Sequence, residues 1–210
     1  MGRSRRWTPR ANNAKDFARI DVLIYKKRMR NEDVDAPDDE LVGRAQAADA
    51  AAFTVLFDRY YDMIHAFAYR VCLAESEAED LAQETFIRAA RGIATYRGTA
   101  SFKNWLFRIA HHVVIDWQRQ RIRRRDKEAS FAVEMEAQAG LRAPDHTLVH
   151  AALAQLPADW REAIALVYFE ELNHREAASI MGCAEATLSW RIFRAKRALK
   201  KLLSTKGEIA

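Results

Sequence analysis

Residues 172–202 read LNHREAASIMGCAEATLSWRIFRAKRALKKL. This stretch predicts a short helix over 175–181, a turn at Gly182 and a longer basic helix over 185–203, which is the plan of a helix-turn-helix. At about 100° per residue, the apolar residues of the second helix share one face: Leu188, Ile192, Ala195, Leu199 and Leu202. The opposite face carries aromatic and basic side chains: Trp190, Phe193, Arg194, Arg197 and Lys201.

The aromatic and basic face of that second helix suits DNA. Arginine can bridge the O6 and N7 atoms of guanine or grip phosphate, and aromatic rings can pack on thymine methyl groups or sugars. The alternative is that Trp190 and Phe193 pack on a neighbouring helix or on another protein.

Helical spacing of apolar residues recurs throughout the rest of the chain. Between residues 38 and 71, steps of three and four separate Phe53, Leu56, Phe57, Tyr60, Ile64, Phe67 and Val71. A further helix is expected from Ser76, with acidic residues near its start, and another is expected from Phe102 to about Trp117. Strand-like alternation is missing from the sequence, and seven Gly and four Pro are too few for a turn-rich β-sandwich. The sequence therefore predicts an all-α protein.

Breaks in this pattern divide the chain into two small helical domains joined by a flexible linker. Residues 1–36 form a basic, then acidic N-terminal extension that we expect to be mobile. The first domain is expected over 37–127, the linker over 128–146 and the second domain, with the helix-turn-helix, over 147–206.

Composition excludes several other classes of protein. The 210 residues are 50% apolar and 30% charged, so the chain can bury a core. Apolar runs such as 163–169 are far below the roughly 20 residues that span a bilayer. No apolar signal-peptide core follows the basic start, so a cytoplasmic protein is expected. Cys72 and Cys183 stand alone, which predicts neither a disulfide framework nor a metal site.

The formal net charge of +5 is unevenly distributed. Residues 32–84 are strongly acidic, whereas residues 85–130 and 190–210 are strongly basic. Two separate basic blocks indicate two surfaces that bind polyanions, although ordinary solvated faces are the simpler explanation of a charge run.

Two parts of the chain resemble one bacterial family. Residues 172–202, with LPADWREAIALVYFEEL just before them, resemble region 4 of the extracytoplasmic-function (ECF) sigma factors. Residues 77–125, EAEDLAQETFIRAARGIATYRGTASFKNWLFRIAHHVVIDWQRQRIRRR, resemble region 2 of the same family. The resemblance implies a non-enzymatic initiation subunit that binds core RNA polymerase and promoter DNA. It also implies control by an anti-sigma factor.

For region 4, the resemblance implies that the second helix enters the major groove of the −35 promoter element. Matching positions imply base contacts by Ser189, Trp190, Phe193 and Arg194, and phosphate contacts by Arg161, His174, Arg175, Lys196 and Arg197. Trp190 stands where the family usually has a small residue, so the preferred −35 sequence is expected to differ.

For region 2, the resemblance implies a helix that docks on the polymerase clamp through Asp80, Gln83, Glu84 and Phe86. An acidic helix surface with one exposed aromatic side chain suits a basic helical hairpin as partner. The alternative is that the acidic residues only complement the positive end of the helix dipole.

Capture of the opened −10 element requires cations for phosphates and a pocket for unstacked bases. The resemblance implies that the loop 98–103 takes up a flipped base. The residues expected at this site are Arg97, Thr99, Ser101, Phe102, Lys103, Trp105, Arg108, His112, Arg119, Arg121, Arg123 and Arg124. Phe102 and Trp105 are also candidates for the core, and His112 stands where the family commonly has Asn.

Two other functions compete with this interpretation. A conventional helix-turn-helix repressor or activator would use the N-terminal half to dimerise or to sense a ligand, and would bind duplex DNA without polymerase. A metal-dependent nuclease would need a cluster such as His111, His112 and Asp116, in which His112 and Asp116 are four residues apart on one helix.

Overall fold

The computed structural model describes the backbone of residues 35–131 and 148–207, and the side chains of 35–123 and 151–204. These residues form helices and connecting turns without any β-strand, which confirms the predicted all-α class. The first group of helices is α1 (Asp38–Gln46), α2 (Ala50–Cys72), α3 (Glu75–Gly92), a 3₁₀ turn (Ile93–Thr95) and α4 (Phe102–Phe131). The second is α5 (Leu148–Leu153), α6 (Ala158–Ile164) with a π-helical turn (Ala165–Phe169), α7 (His174–Ile180) and α8 (Glu185–Gly207).

The N-terminal module is built around α2, whose apolar face follows the predicted period. Leu56, Ile64 and Phe67 are fully buried there. The sequence pattern runs through residues 38–70 without a break, but the structure turns between α1 and α2, where Ala48 has a φ of 67°. The Asp49 carboxylate accepts hydrogen bonds from the backbone N–H groups of Ala51 and Ala52, and so caps α2.

The C-terminal module contains the predicted helix-turn-helix. Asn173 and Glu176 form a reciprocal capping box that fixes the start of α7. Gly182 adopts a φ of 61° in the turn, a backbone conformation that side chains with a Cβ rarely adopt. Leu188 and Ala195 on α8 are fully buried and Ile192 nearly so, which confirms the predicted inner face.

The two modules pack directly against each other. Helix α2 contacts α6 and the π-helical turn, while α4 contacts α7. Helix α4 also continues to Phe131, beyond the expected domain boundary at 127. The extension expected over 1–36 lies almost wholly outside the described residues, as do the linker residues after 131. None of the helices in the described ranges has the length and apolar content needed to cross a membrane.

Candidate polymerase and nucleic-acid surfaces

An acidic groove lies between α3 and the middle of α4. It has a volume of about 390 Å³ and is lined by Glu77, Asp80, Leu81, Glu84, Arg88, Val113, Asp116, Trp117, Gln120 and Arg121. Arg88 spans it, donating hydrogen bonds of 2.8 Å to both the Glu84 and the Asp116 carboxylates. These two hydrogen bonds raise the pKa of Arg88. Asp80 and Glu84, both expected at the polymerase surface, therefore share one groove.

The expectation that Phe86 is an exposed aromatic side chain beside these carboxylates is wrong. Phe86 is only 4% exposed, and its ring packs 4.7 Å from that of Phe57 and 6.2 Å from that of Tyr61. It lies on the side of α3 that faces α2, with Ala82 and Ala89. Gln83 is exposed, so Gln83, Asp80 and Glu84 are the expected docking residues of α3 that a partner can reach.

The loop before α4 presents Arg97, Thr99 and Ser101 to solvent, as the −10 interpretation requires. Phe102 is 2% exposed and packs edge-on against Tyr60, which excludes it as a base-stacking platform. The half-buried Trp105 ring lies 5.2 Å from that of Tyr96, directly above Gly92. Phe102 therefore belongs to the core, and Trp105 packs against Tyr96 at the edge of the core.

Three side chains near the start of α4 form hydrogen bonds with the C-terminal module. The Lys103 ammonium donates to the carbonyl oxygen of Glu170 at 2.8 Å. Asn104 donates to the Glu176 carboxylate at 3.0 Å, and Arg108 donates to Ser179 Oγ at 2.7 Å. Lys103 and Arg108, expected to contact the −10 strand, are therefore engaged within the protein.

A buried ion pair joins the modules behind these contacts. His111 Nδ1 lies 2.5 Å from Glu162 Oε1, and the two side chains are 7% and 3% exposed. The hydrogen bond between them joins α4 to α6. The sequence signal of this pair is weak, because Glu162 lies between Arg161 and the apolar run 163–169.

A second ion pair lies at the other end of the module interface. Arg70 donates to the Glu170 carboxylate at 3.1 Å, and its guanidinium lies 4.2 Å from the centre of the Phe169 ring. Burial raises the pKa of Glu170, although Arg70 and Lys103 oppose this. We call the packing held by the His111–Glu162 and Arg70–Glu170 pairs the closed arrangement.

The expectation that Arg161 contacts phosphate disagrees with its position in the closed arrangement. Its guanidinium donates to the carbonyl oxygens of Val71, at 3.0 Å, and Leu156, at 2.8 Å. Burial lowers its pKa. Arg161 therefore connects α6 to the end of α2, and its guanidinium is not free to contact a DNA phosphate in this arrangement.

The outer face of α8 carries the side chains that the helical period places there. Trp190 and Phe193 are 54% and 61% exposed, and Arg194 and Arg197 are exposed as well. Trp190 also touches α6, because its ring meets that of Trp160 edge-on at 6.0 Å. The alternative that Trp190 packs on a neighbouring helix is therefore correct for one edge of its ring, while most of the outer face of α8 is exposed to solvent.

The remaining residues expected at the −35 element surround this face. His174 Nδ1 lies 2.8 Å from Ser189 Oγ, so these two side chains hold each other at the start of α8. The Lys196 ammonium donates to the Tyr168 hydroxyl at 3.2 Å. The Arg175 side chain is 89% exposed, 3.9 Å from Glu185.

The residues of the nuclease alternative are separated by their own contacts. His112 Nδ1 lies 2.7 Å from the carbonyl oxygen of Arg108, whereas the Asp116 carboxylate accepts from Arg88. His111 pairs with Glu162. Within the described ranges, no group of three or more His, Cys, Asp or Glu side chains is arranged to hold a metal ion.

Comparison with known proteins identifies both modules. The Sigma-70 region 2 family matches residues 56–126, and the Sigma-70 region 4 family matches residues 146–199. The chain is 36% identical to the RNA polymerase sigma-H factor of Pseudomonas aeruginosa, covering 79% of this chain and 93% of that protein. It is 34% identical to the ECF RNA polymerase sigma factor SigM of Bacillus subtilis, covering 69% of this chain and 93% of that protein.

Solved structures agree with these sequence matches. The sigma factor RpoE of Bartonella quintana, in complex with the anti-sigma factor NepR, is 30% identical with a TM-score of 0.59, covering 72% of this chain and 96% of that one. CnrH, in complex with the cytosolic domain of CnrY, is 26% identical with a TM-score of 0.61, covering 80% and 97%. Region 2 and region 4 are thus both present, in the family's order and over nearly the whole length of these relatives. The chain belongs to the extracytoplasmic-function family of RNA polymerase sigma factors.

Proposed function

We propose that this sigma factor docks on core RNA polymerase through the acidic groove, reads the −35 duplex with the outer face of α8 and captures the opened −10 strand with α4 and the loop before it. The observation that carries this proposal is the division of α8 into a buried apolar face and an exposed aromatic and basic face. Helices that read the major groove need this division, because one side must hold the domain together while the other meets base edges.

Run-off transcription with purified core polymerase tests the proposal as a whole. The full chain should make core polymerase start RNA at defined genomic sites and should show no transcription without core. A gel shift on the same promoters separates it from a conventional repressor, which would bind tightly without polymerase and would require a two-fold symmetric operator. RNA chains that start at random would overturn the proposal.

Arg194 is the best placed side chain for direct reading of the −35 element. It is exposed on the outer face of α8, beside Trp190. We expect Arg194→Ala to weaken binding of the −35 duplex by about 1–3 kcal/mol, because it removes a guanidinium that can bridge guanine O6 and N7. The measurement is a promoter titration with the reconstituted holoenzyme. Lys200→Ala, which removes the same charge nearer the end of α8, is the control and should change binding far less.

The basic end of α4 is suited to the phosphates of the opened strand. Arg119, Arg121 and Arg123 are exposed, and the Arg121 guanidinium lies 5.4 Å from the Trp117 ring centre. Arg124 lies within α4, and its side chain is outside the described residues.

Replacing the three exposed arginines with alanine should slow promoter opening more than it weakens duplex binding. The logarithmic salt dependence of single-strand binding should also fall by about 2, since each lost phosphate contact contributes about 0.7. Permanganate reactivity of −10 thymines measures opening, and Arg91→Ala, an exposed position on α3, is the control. Equal loss of opening and of duplex binding would contradict this placement.

We also propose that an anti-sigma protein controls this sigma factor in the cytoplasm, where it serves as a non-catalytic subunit of RNA polymerase. The support is that the solved RpoE and CnrH structures are complexes with NepR and with the cytosolic domain of CnrY. A screen for insertions that activate a reporter driven by one of the mapped promoters tests it. Activating insertions in a gene whose product binds the purified sigma factor would support the proposal. The proposal would be overturned if none of the activating insertions lay in such a gene.

A further inference from the structure

A cluster of two indole rings and one guanidinium connects α6 to the outer face of α8. The Trp160 and Trp190 rings are 6.0 Å apart at an interplanar angle of 89°. The Arg194 Cζ atom lies 5.7 Å from the centre of each ring. Trp160 is the only one of the three outside α8 and is half-buried.

The position of Trp160 relative to α8 is fixed by its neighbours. The carboxylate of Asp159, the preceding residue, forms an ion pair with the Arg191 guanidinium of α8, with Nε and Oδ2 3.2 Å apart. Ala163 and Ile164, one turn further along α6, are buried in the core. The Trp160 ring is therefore held by the fold, and does not depend on DNA for its position.

A guanidinium held against aromatic faces has fewer conformations to lose when it meets a base. Arginine side chains carry large rotamer freedom, and attraction to the face of an indole restricts it. Here the Arg194 guanidinium contacts two indole rings, one from α6 and one from α8. Without Trp160 it would contact only the Trp190 ring. The same contact holds one edge of Trp190 and leaves the rest of its ring exposed.

We propose that Trp160 is a specificity-determining positioning residue for the −35 element: it holds Arg194 and Trp190 in one preformed unit that reads two adjacent base pairs. This inference rests on the proposed function of α8. The unit offers a cationic fork beside a flat apolar surface. That combination fits a guanine, through O6 and N7, next to a thymine methyl group. Trp160 itself does not touch the bases.

The test uses the reconstituted holoenzyme on a promoter library with a randomised −35 element, with RNA output per sequence as the readout. Trp160→Ala should reduce discrimination at the base pair read by Arg194 by about two- to five-fold, the effect expected for one lost cation–π contact. Preferences at base pairs outside the unit should be unchanged, and so should the salt dependence of binding, because no phosphate contact is removed.

Three further variants separate positioning from a purely structural role. Trp160→Phe keeps an aromatic face and should retain most of the discrimination, whereas Trp160→Leu keeps apolar volume and should lose it. In the Arg194→Ala background, Trp160→Ala should have no additional effect on the preference at the base pair read by Arg194, because the guanidinium that it positions there is gone. Thermal melts of the full chain identify any variant whose fold is damaged. If Trp160→Ala is such a variant, the base discrimination of Trp160→Leu is compared with that of Trp160→Phe.

The outcomes distinguish this inference from the proposed function. If the unmodified holoenzyme shows no −35 preference, the assignment of α8 itself fails. If Arg194→Ala flattens the preference at one base pair while Trp160→Ala and Trp160→Leu leave it intact, only the positioning role is overturned. A loss spread evenly over all −35 sequences in Trp160→Ala also overturns it, because that pattern reports general weakening of the domain.

Discussion

Loss of co-purification with core RNA polymerase is the expected result of reversing the charges of Asp80 and Glu84 to lysine. Both side chains line the acidic groove, and no large exposed aromatic on α3 can compensate for them because Phe86 is buried. A basic partner surface would then meet like charges, which costs several kcal/mol. The measurement is co-elution of the tagged variant with core polymerase on a sizing column.

The matched control changes the same net charge outside the groove. Asp62→Lys with Glu79→Lys alters two exposed acidic residues of α2 and α3 that do not line it. This pair should retain most polymerase binding at physiological salt. Thermal melts show whether Glu84→Lys has weakened α3, since it places a like charge one turn before Arg88 and such a pair costs about 0.2–0.5 kcal/mol. Retained binding in the Asp80 and Glu84 variant would show that the polymerase contacts another surface.

Separation of the two modules is the expected result of His111→Ala. The change leaves the Glu162 carboxylate buried and without its ion-pair partner, a situation that costs about 3–5 kcal/mol in measured cases. Opening the closed arrangement brings that carboxylate back to water, so the open population should rise. Small-angle scattering of the free chain should show a larger radius of gyration.

His112→Ala is the adjacent control for compactness. The His112 side chain is exposed, and its Nδ1 atom contacts the carbonyl of Arg108 in its own helix. An unchanged radius in His111→Ala would show that the ion pair does not hold the modules together.

Periodicity predicted the fold because each helix buries one stripe of side chains. The faces of α8 are the clearest case, where the inner residues Leu188 and Ala195 and the outer residues Trp190 and Phe193 lie as the 100° step requires. The turn between α1 and α2 was missed because both sides of it continue the same apolar spacing. A left-handed alanine at position 48 carries no signal in the sequence.

Phe86 shows where a motif and a helical period disagree. The family motif places it among the docking residues, but Leu81, Ala82, Thr85 and Ala89 put it on the buried stripe of α3. Aromatic residues occur both in protein cores and at interfaces, so the residue type alone does not show whether Phe86 is buried or exposed. The period was the better guide to its exposure.

Contacts between the modules could not be predicted from the sequence. His111 and Glu162 are 51 residues apart and belong to helices separated by a linker, so no periodic pattern relates them. Arg161 illustrates the consequence, because an arginine next to a helix-turn-helix looks like a phosphate ligand until its carbonyl partners are known. The roles assigned to the polymerase and promoter residues stay predictions.

The closed arrangement has a consequence for competition among sigma factors for a limited supply of core enzyme. A chain that must separate its modules before engaging polymerase binds with an apparent affinity reduced in proportion to its open fraction. Each 1.4 kcal/mol that favours closure lowers that apparent affinity about tenfold. We therefore expect substitutions in the His111–Glu162 and Arg70–Glu170 pairs to change how much of this protein is needed to redirect transcription.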